Sequence, residues 1–237
     1  RLGVVGDWEN YYSTMSYDAE AQIVRELGKF LKEGSLYRGF KPVLWSTVEK
    51  TALADAEVEY QDHKSDTIYV SFPVKSSNIK ELEHSNIIIW TTTPWTIPAN
   101  KALAYNENLD YLLIEIKDKG DFKNKKIVLA EALLETTIKD CEIQDYKNLK
   151  KFKGKEFKNT VCNHPFLDLG YDYEIPMLSA RFVTTEQGTG IVHCAPSHGP
   201  DDFNLCLNNG IKAIETVDGD GKYTQNVFLF EGLHIFK

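Results

Sequence analysis

No stretch of this chain approaches the roughly 18 consecutive apolar residues needed to cross a bilayer as a helix. Its start also lacks the basic-then-apolar pattern of a secretory leader. A soluble, cytoplasmic protein with no membrane partner is therefore expected. Cysteine is sparse. Cys141, Cys162, Cys194 and Cys206 are scattered without a CxxC pair, which leaves neither a zinc-ribbon pattern nor a disulfide framework and predicts reduced thiols. Basic residues are outnumbered, 27 against 35 acidic, for a net charge of -8. Such a balance excludes broad nonspecific binding to nucleic acid, which rests on phosphate neutralisation, but not the entry of one RNA end into a local pocket. The glycines of Leu2 to Trp8 and of Asp218 to Lys222 are spaced wrongly for a dinucleotide, Walker or calcium loop. The second stretch reads as a turn.

What is present is a globular composition, 42% hydrophobic over 237 residues, enough for one large domain or a domain with an appendage. Opening at Arg1 and stopping at Lys237 directly after a strand-like run, the chain is expected to be a piece of something longer. Residues 1–44 stand apart. Ile23, Val24, Leu27, Phe30 and Leu31 make one helical stripe, with Asp18 as the expected cap and Gly34 as the stop. From Lys41 onward the texture is of short strands, predicted at Lys41–Trp45, Ala56–Tyr60, Asp66–Val74, Asn86–Trp90, Tyr111–Ile116, Lys126–Ala130, Ile175–Leu178, Arg181–Val183 and Gly190–His193. A helix is predicted through Leu133, Leu134 and Ile138. The lysine-rich run Lys147 to Lys158 reads as a solvated face rather than a contact for an RNA backbone. Many short strands with few helices predict a mixed α/β, β-rich fold: a closed or nearly closed β-barrel decorated by helices.

The chain is organised around Trp90-Thr91-Thr92-Thr93-Pro94-Trp95-Thr96-Ile97-Pro98-Ala99-Asn100. The run Asn86–Trp90 should form an interior strand, and Pro94 should end its pairing, leaving Thr93 at the lip of the sheet. Two prolines and two tryptophans around the threonines point to a preformed polar pocket. A second stretch reads Gly188-Thr189-Gly190-Ile191-Val192-His193-Cys194-Ala195-Pro196-Ser197-His198-Gly199-Pro200-Asp201-Asp202-Phe203. Its glycines let backbone approach a ligand, Ile191–Val192 carries His193 to a sheet edge, and Asp201–Asp202 falls where a helix would begin, one of the pair as its cap.

Together these two stretches resemble the threonine-rich peptide and the second signature of the editing domain inserted in isoleucyl-tRNA synthetases. Valine and leucine members carry arginine before the proline of the first peptide, whereas this chain has Thr93, which favours the isoleucine type. The resemblance implies residues 1–44 as a helical connection from the synthetase's nucleotide-binding core and residues 45–237 as the editing domain. It implies hydrolysis of mischarged Val-tRNA(Ile), and of valyl-adenylate as a second substrate, with the 3′ end of tRNA(Ile) and the rest of the synthetase in cis as partners. Thr93 would help place the attacking water and Asp202 would anchor the α-ammonium. Thr91 and Thr92 would bind the terminal adenosine, His193 would exclude isoleucine, and Trp90 and Asn100 would shape the wall. No cofactor is expected for editing. ATP and magnesium belong to the synthetic site, whose H-I-G-H and K-M-S-K-S signatures do not occur here. Zinc is not expected after Trp45, where some members carry cysteines and this chain reads Ser46 to Thr51. Two alternatives stay open. One is a metal-dependent hydrolase using His193, His198, Asp202 and His164; the other is a catalytically silent tRNA-binding module. Cys194 beside His193 is poorly placed as a nucleophile, since neighbouring strand residues face opposite ways.

Overall fold

The computed structural model describes residues 3–118 and 122–236. The chain divides into two compact units, Arg1–Phe40 and Lys41–Lys237. In the first, α1 spans Tyr17–Lys32. Its cap is Ser16, whose hydroxyl accepts the Ala19 N–H at 3.4 Å, and not Asp18, which instead lies in the first turn where its charge suits the helix dipole. Gly34 ends the helix as expected. It takes φ +78°, and the Ser35 N–H bonds back to the Phe30 carbonyl at 3.0 Å. Every apolar residue of the α1 stripe is exposed. Leu2 lies outside the described residues, and Gly3 to Trp8 form neither helix nor strand.

In the second unit, β1 (Trp45–Ser46) and β2 (Thr51–Ala52) form a small antiparallel pair. The main sheet is built from β3 (Ile68–Ser76), β4 (Ser85–Thr91), β5 (Ala102–Tyr105), β6 (Asp110–Ile116), β7 (Lys126–Ala130), β8 (Tyr146–Lys153), β9 (Val161–Asn163), β10 (Glu174–Ser179) and β11 (Ile191–Cys194). Their order is β11-β5-β10-β9-β3-β4-β7-β6-β8. The pairs β10/β5 and β4/β7 are parallel; the rest are antiparallel. α2 (Leu134–Asp140) and α3 (Pro200–Asn208) complete the unit. The mixed α/β, β-rich class is as expected, but among the described residues the sheet does not close into a barrel. β11 pairs only with β5 and β8 only with β6, so both are edges. β8 carries Lys147, Lys150, Lys151 and Lys153, and a lysine-lined edge resists a further strand.

Both faces of the sheet are covered at its centre, which explains the uninterrupted apolar runs. Ile87 and Ile89 of β4 pack with Phe72, Leu113 and Val128 on one side. Ile88 turns to the other, with Leu112, Ile114, Leu129 and Leu134 of α2. Some predicted strands do not form. Residues 41–44 are irregular and Asp55–Glu57 is a short 3-10 turn, because these exposed residues have no core face to bury. Arg181–Val183 forms a turn rather than a strand. Four strands went unpredicted: the short β2, β5 and β9, and the lysine-rich β8, which buries only Phe152.

Candidate functional site

β4 stops at Thr91, and the chain then enters a 3-10 helix, Pro94–Ala99, with Thr93 at its cap position. The strand ends ahead of Pro94, which opens the 3-10 helix, and Thr93 lies two residues past the strand's end. The hydroxyls here are partly spent on one another. Thr91 Oγ1 accepts the Thr93 N–H at 3.1 Å and lies 3.3 Å from Thr93 Oγ1. Thr96 Oγ1 donates to the Thr93 carbonyl at 2.8 Å. These bonds are a threonine turn of the kind that competes with regular pairing.

Across from this turn stands β11. His193 is buried, with Nε2 at 2.9 Å from Thr96 Oγ1 and Nδ1 at 3.3 Å from Asn100 Nδ2. Burial, with the nearby His198 and His164 adding to it, lowers its pKa to about 4, so the ring is neutral at physiological pH. Beyond β11 the chain turns into α3. Neither aspartate caps that helix. Gly199 holds the cap position without a side-chain bond, and Pro200 fills the first helical position, where there is no N–H to satisfy. Asp201 is exposed. Asp202 reaches back instead, its Oδ2 accepting the Ala195 N–H at 2.9 Å. Burial raises its pKa to about 6, Asp201 adding slightly, against the lowering effect of the Ala195 bond.

These pieces enclose one hollow of about 330 Å³. Thr93 and Asp202, far apart in sequence, both line it, as do Trp90, Thr91, Thr92 and His193. Asn100 does not. It is fully buried behind His193, so the expectation that it shapes the wall directly is corrected. Thr92 and Thr93 are exposed, whereas the buried Thr91 hydroxyl is turned back on Thr93. The lining also includes His198, weighed above only as a metal ligand, and residues not singled out from the sequence, notably Thr96, Thr184 and Gln187. Thr96 was legible in principle, being three residues after Thr93 and so on the same side of a tight helix. Thr184 and Gln187 sit in a loop with no sequence signal.

The rim glycines act on packing more than on a ligand. A Cβ on Gly190, at φ +72°, would sit 2.3 Å from the Ala130 Cβ, while the Ala130 N–H bonds the Thr189 carbonyl at 2.8 Å. The Thr189 hydroxyl ties this loop to β4 through the Ile88 carbonyl at 2.6 Å. His198 is held by Thr216 at 2.7 Å and meets the Trp95 ring edge-on with centroids 4.9 Å apart. His164 is remote in role: Nε2 lies 3.0 Å from the Ile97 carbonyl and Nδ1 accepts the Phe166 N–H. Among the described residues, no three histidine, cysteine or acidic side chains come together as a metal-binding group. Cys194 is buried with its thiol pKa pushed well up, leaving no thiolate for attack.

The model of the class I tRNA synthetases for isoleucine, leucine, methionine and valine matches residues 1–187. The chain belongs to the class I tRNA synthetases. Within that family it is 84% identical over 237 residues to an isoleucine–tRNA ligase of Pelagibacter ubique, and 45% identical over 243 residues to one of Gluconobacter oxydans. Each alignment takes in all of this chain but only 26% and 25% of the relative, so the chain spans about a quarter of the length of these synthetases. Among solved structures it is similar to the crystal structure of GlLeuRS-CP1, with a TM-score of 0.47 and 15% identity over 62% of this chain and 65% of that one. It is also similar to the editing domain of the Plasmodium falciparum cytosolic leucyl-tRNA synthetase, with a TM-score of 0.40 and 19% identity over 54% and 47%. The resemblance to the synthetase family is borne out by the family match and by these ligase relatives.

Proposed function

We propose that this class I synthetase segment is the editing portion of an isoleucine–tRNA ligase, hydrolysing the ester of Val-tRNA(Ile), with valyl-adenylate as a second substrate. The observation that carries this reading is the shared hollow, where the Thr93 turn and the Asp202 carboxylate come together from opposite ends of the unit. An aminoacyl ester is labile, so the site has to orient a water and stabilise developing charge rather than build a strong nucleophile. Thr93, exposed at the mouth, places the water. Asp202, mostly ionised above about pH 6, holds the α-ammonium. Thr92 and Trp90 receive the terminal adenosine, and Thr91 keeps Thr93 in place through its hydroxyl. His193 stands where the amino-acid side chain would lodge.

Such a second site answers a physical limit. One methylene in an apolar pocket discriminates by only about 1 to 3 kcal/mol, and isoleucine against valine in this family is the standard illustration of that limit. A cavity that admits valine and rejects the larger side chain destroys only the wrong product. The test is deacylation of Val-tRNA(Ile) and Ile-tRNA(Ile) by the purified chain. Cleavage of the valyl ester with the isoleucyl ester spared is expected. Binding of a stable aminoacyl-adenosine analogue without turnover would favour the silent module and overturn the assignment.

A further inference from the structure

Asn100, His193, Thr96 and Thr93 form a hydrogen-bonded chain whose direction is determined at both ends. At one end the Asn100 amide cannot be turned over, because its Nδ2 donates to the Ala102 carbonyl at 3.0 Å and the reverse placement would set two carbonyl oxygens against each other. The same Nδ2 lies 3.3 Å from His193 Nδ1, so that ring nitrogen must accept. At the other end the single hydroxyl proton of Thr96 is used on the Thr93 carbonyl at 2.8 Å. At 2.9 Å from His193 Nε2, the Thr96 oxygen must then receive a proton. Two independent constraints thus select the same neutral ring.

We propose that Asn100 is a positioning residue for substrate discrimination, holding His193 as the Nε2–H tautomer so that only ring carbons face the hollow. This rests on the editing reading given above. With both nitrogens engaged, His193 offers a cavity ligand neither a proton nor a lone pair. A residue that is polar by type becomes a rigid apolar wall, suited to sorting valine from isoleucine by shape. The residue that sets this state does not line the hollow itself. Asn100 is fully buried and its Oδ1 has no partner among the described residues. A buried amide left half-satisfied is a poor choice for stability alone, and its retained Nδ2 contacts are the ones that fix the ring.

The experiment pairs a nitrogen-15 spectrum of the histidine rings with deacylation of Val-tRNA(Ile) and Ile-tRNA(Ile), for the wild-type chain and for Asn100→Asp and Asn100→Ser. The wild type should show His193 as the neutral Nε2–H form. Asn100→Asp places an acceptor opposite Nδ1 and should protonate it. Asn100→Ser removes the donor without adding charge and should mix the tautomers. In both variants the preference for the valyl over the isoleucyl ester, taken as a ratio of kcat/KM, should fall by about tenfold or more. If Asn100→Asp does not fold, Asn100→Ser carries the test. A wild-type Nδ1–H ring, or variants whose ratio stays within about twofold while the ring signature changes, overturns the proposal. A wild type that cleaves neither ester overturns the editing reading and the discriminating role with it, and the spectrum separates that failure from a wrong ring assignment.

Discussion

At the residue scale, Asp202 is the side chain whose surroundings say most. Its pKa of about 6 means that the folded protein favours the protonated carboxyl more than an unfolded chain does. The stability that this preference contributes is complete below the ordinary carboxylate pKa and is lost as pH rises through about 6. An ionised Asp202 is thus retained against stability. Asp202→Asn keeps an oxygen for the Ala195 N–H and should leave the melting temperature at pH 7.5 unchanged or raise stability by on the order of 1 kcal/mol. On the proposed editing reading, the same variant should lose about 100-fold in hydrolysis of Val-tRNA(Ile), since it removes the charge proposed to hold the ammonium. The wild-type rate should fall about tenfold per pH unit below pH 6, while the variant's profile is flat there; an equally steep variant profile would put the titrating group elsewhere. Thr93→Ala, by contrast, removes one exposed hydroxyl. A loss of about 10- to 100-fold in rate with little change in melting temperature is expected, read from the same deacylation assay and a thermal melt.

At the scale of elements, the hollow depends on how the loop before β11 packs on the end of β7. Gly190 has φ +72° and no room for a Cβ beside Ala130, so Gly190→Ala combines backbone strain with overpacking. A destabilisation of about 2 to 4 kcal/mol is expected in chemical denaturation, with loss of hydrolysis following from the displaced rim. This element was only half legible in sequence. The two glycines promised close backbone approach, but the partner proved to be Ala130 rather than a ligand, and pairing of that kind is set by topology. Likewise Asn86–Trp90 announced a buried strand through its composition, and Pro94 its end. β8 announced itself badly, since Lys150 and Lys153 pair with Glu81 and Asp110 along an exposed edge, and Phe152 is the one residue of the strand that is buried. The two motifs located most of the hollow's lining, because each is a contiguous segment. They could not show that Asn100 stands behind His193, or that His198 is held by Thr216 from a later turn, because those are contacts between segments.

At the scale of the whole molecule, three histidines are held as neutral rings, His164 and His193 buried and His198 half-buried. His164, His193 and His198 each have their pKa lowered to about 4, with desolvation as the leading cause. Each is ordinarily half protonated near pH 6.5, so the unfolded chain takes up protons that the fold refuses. The stability they contribute is present above about 6.5 and is lost as pH falls toward 4. Asp202 acts in the opposite sense, since between about 4 and 6 the folded protein holds a proton there that the unfolded chain gives up. Near pH 5 these four groups should give a net uptake of roughly two protons on unfolding, three from the histidines less one from the carboxyl, or about 3 kcal/mol lost per pH unit. Replacing Asp202 with asparagine removes the compensating carboxyl. The variant should therefore be the more acid-sensitive protein, with uptake nearer three, even though it is at least as stable as wild type at neutral pH. Unfolding free energies measured from pH 7 to 4.5 for both proteins would show their curves converging or crossing on the acid side. Parallel curves would mean that the charge of Asp202 is balanced by a group outside the hollow.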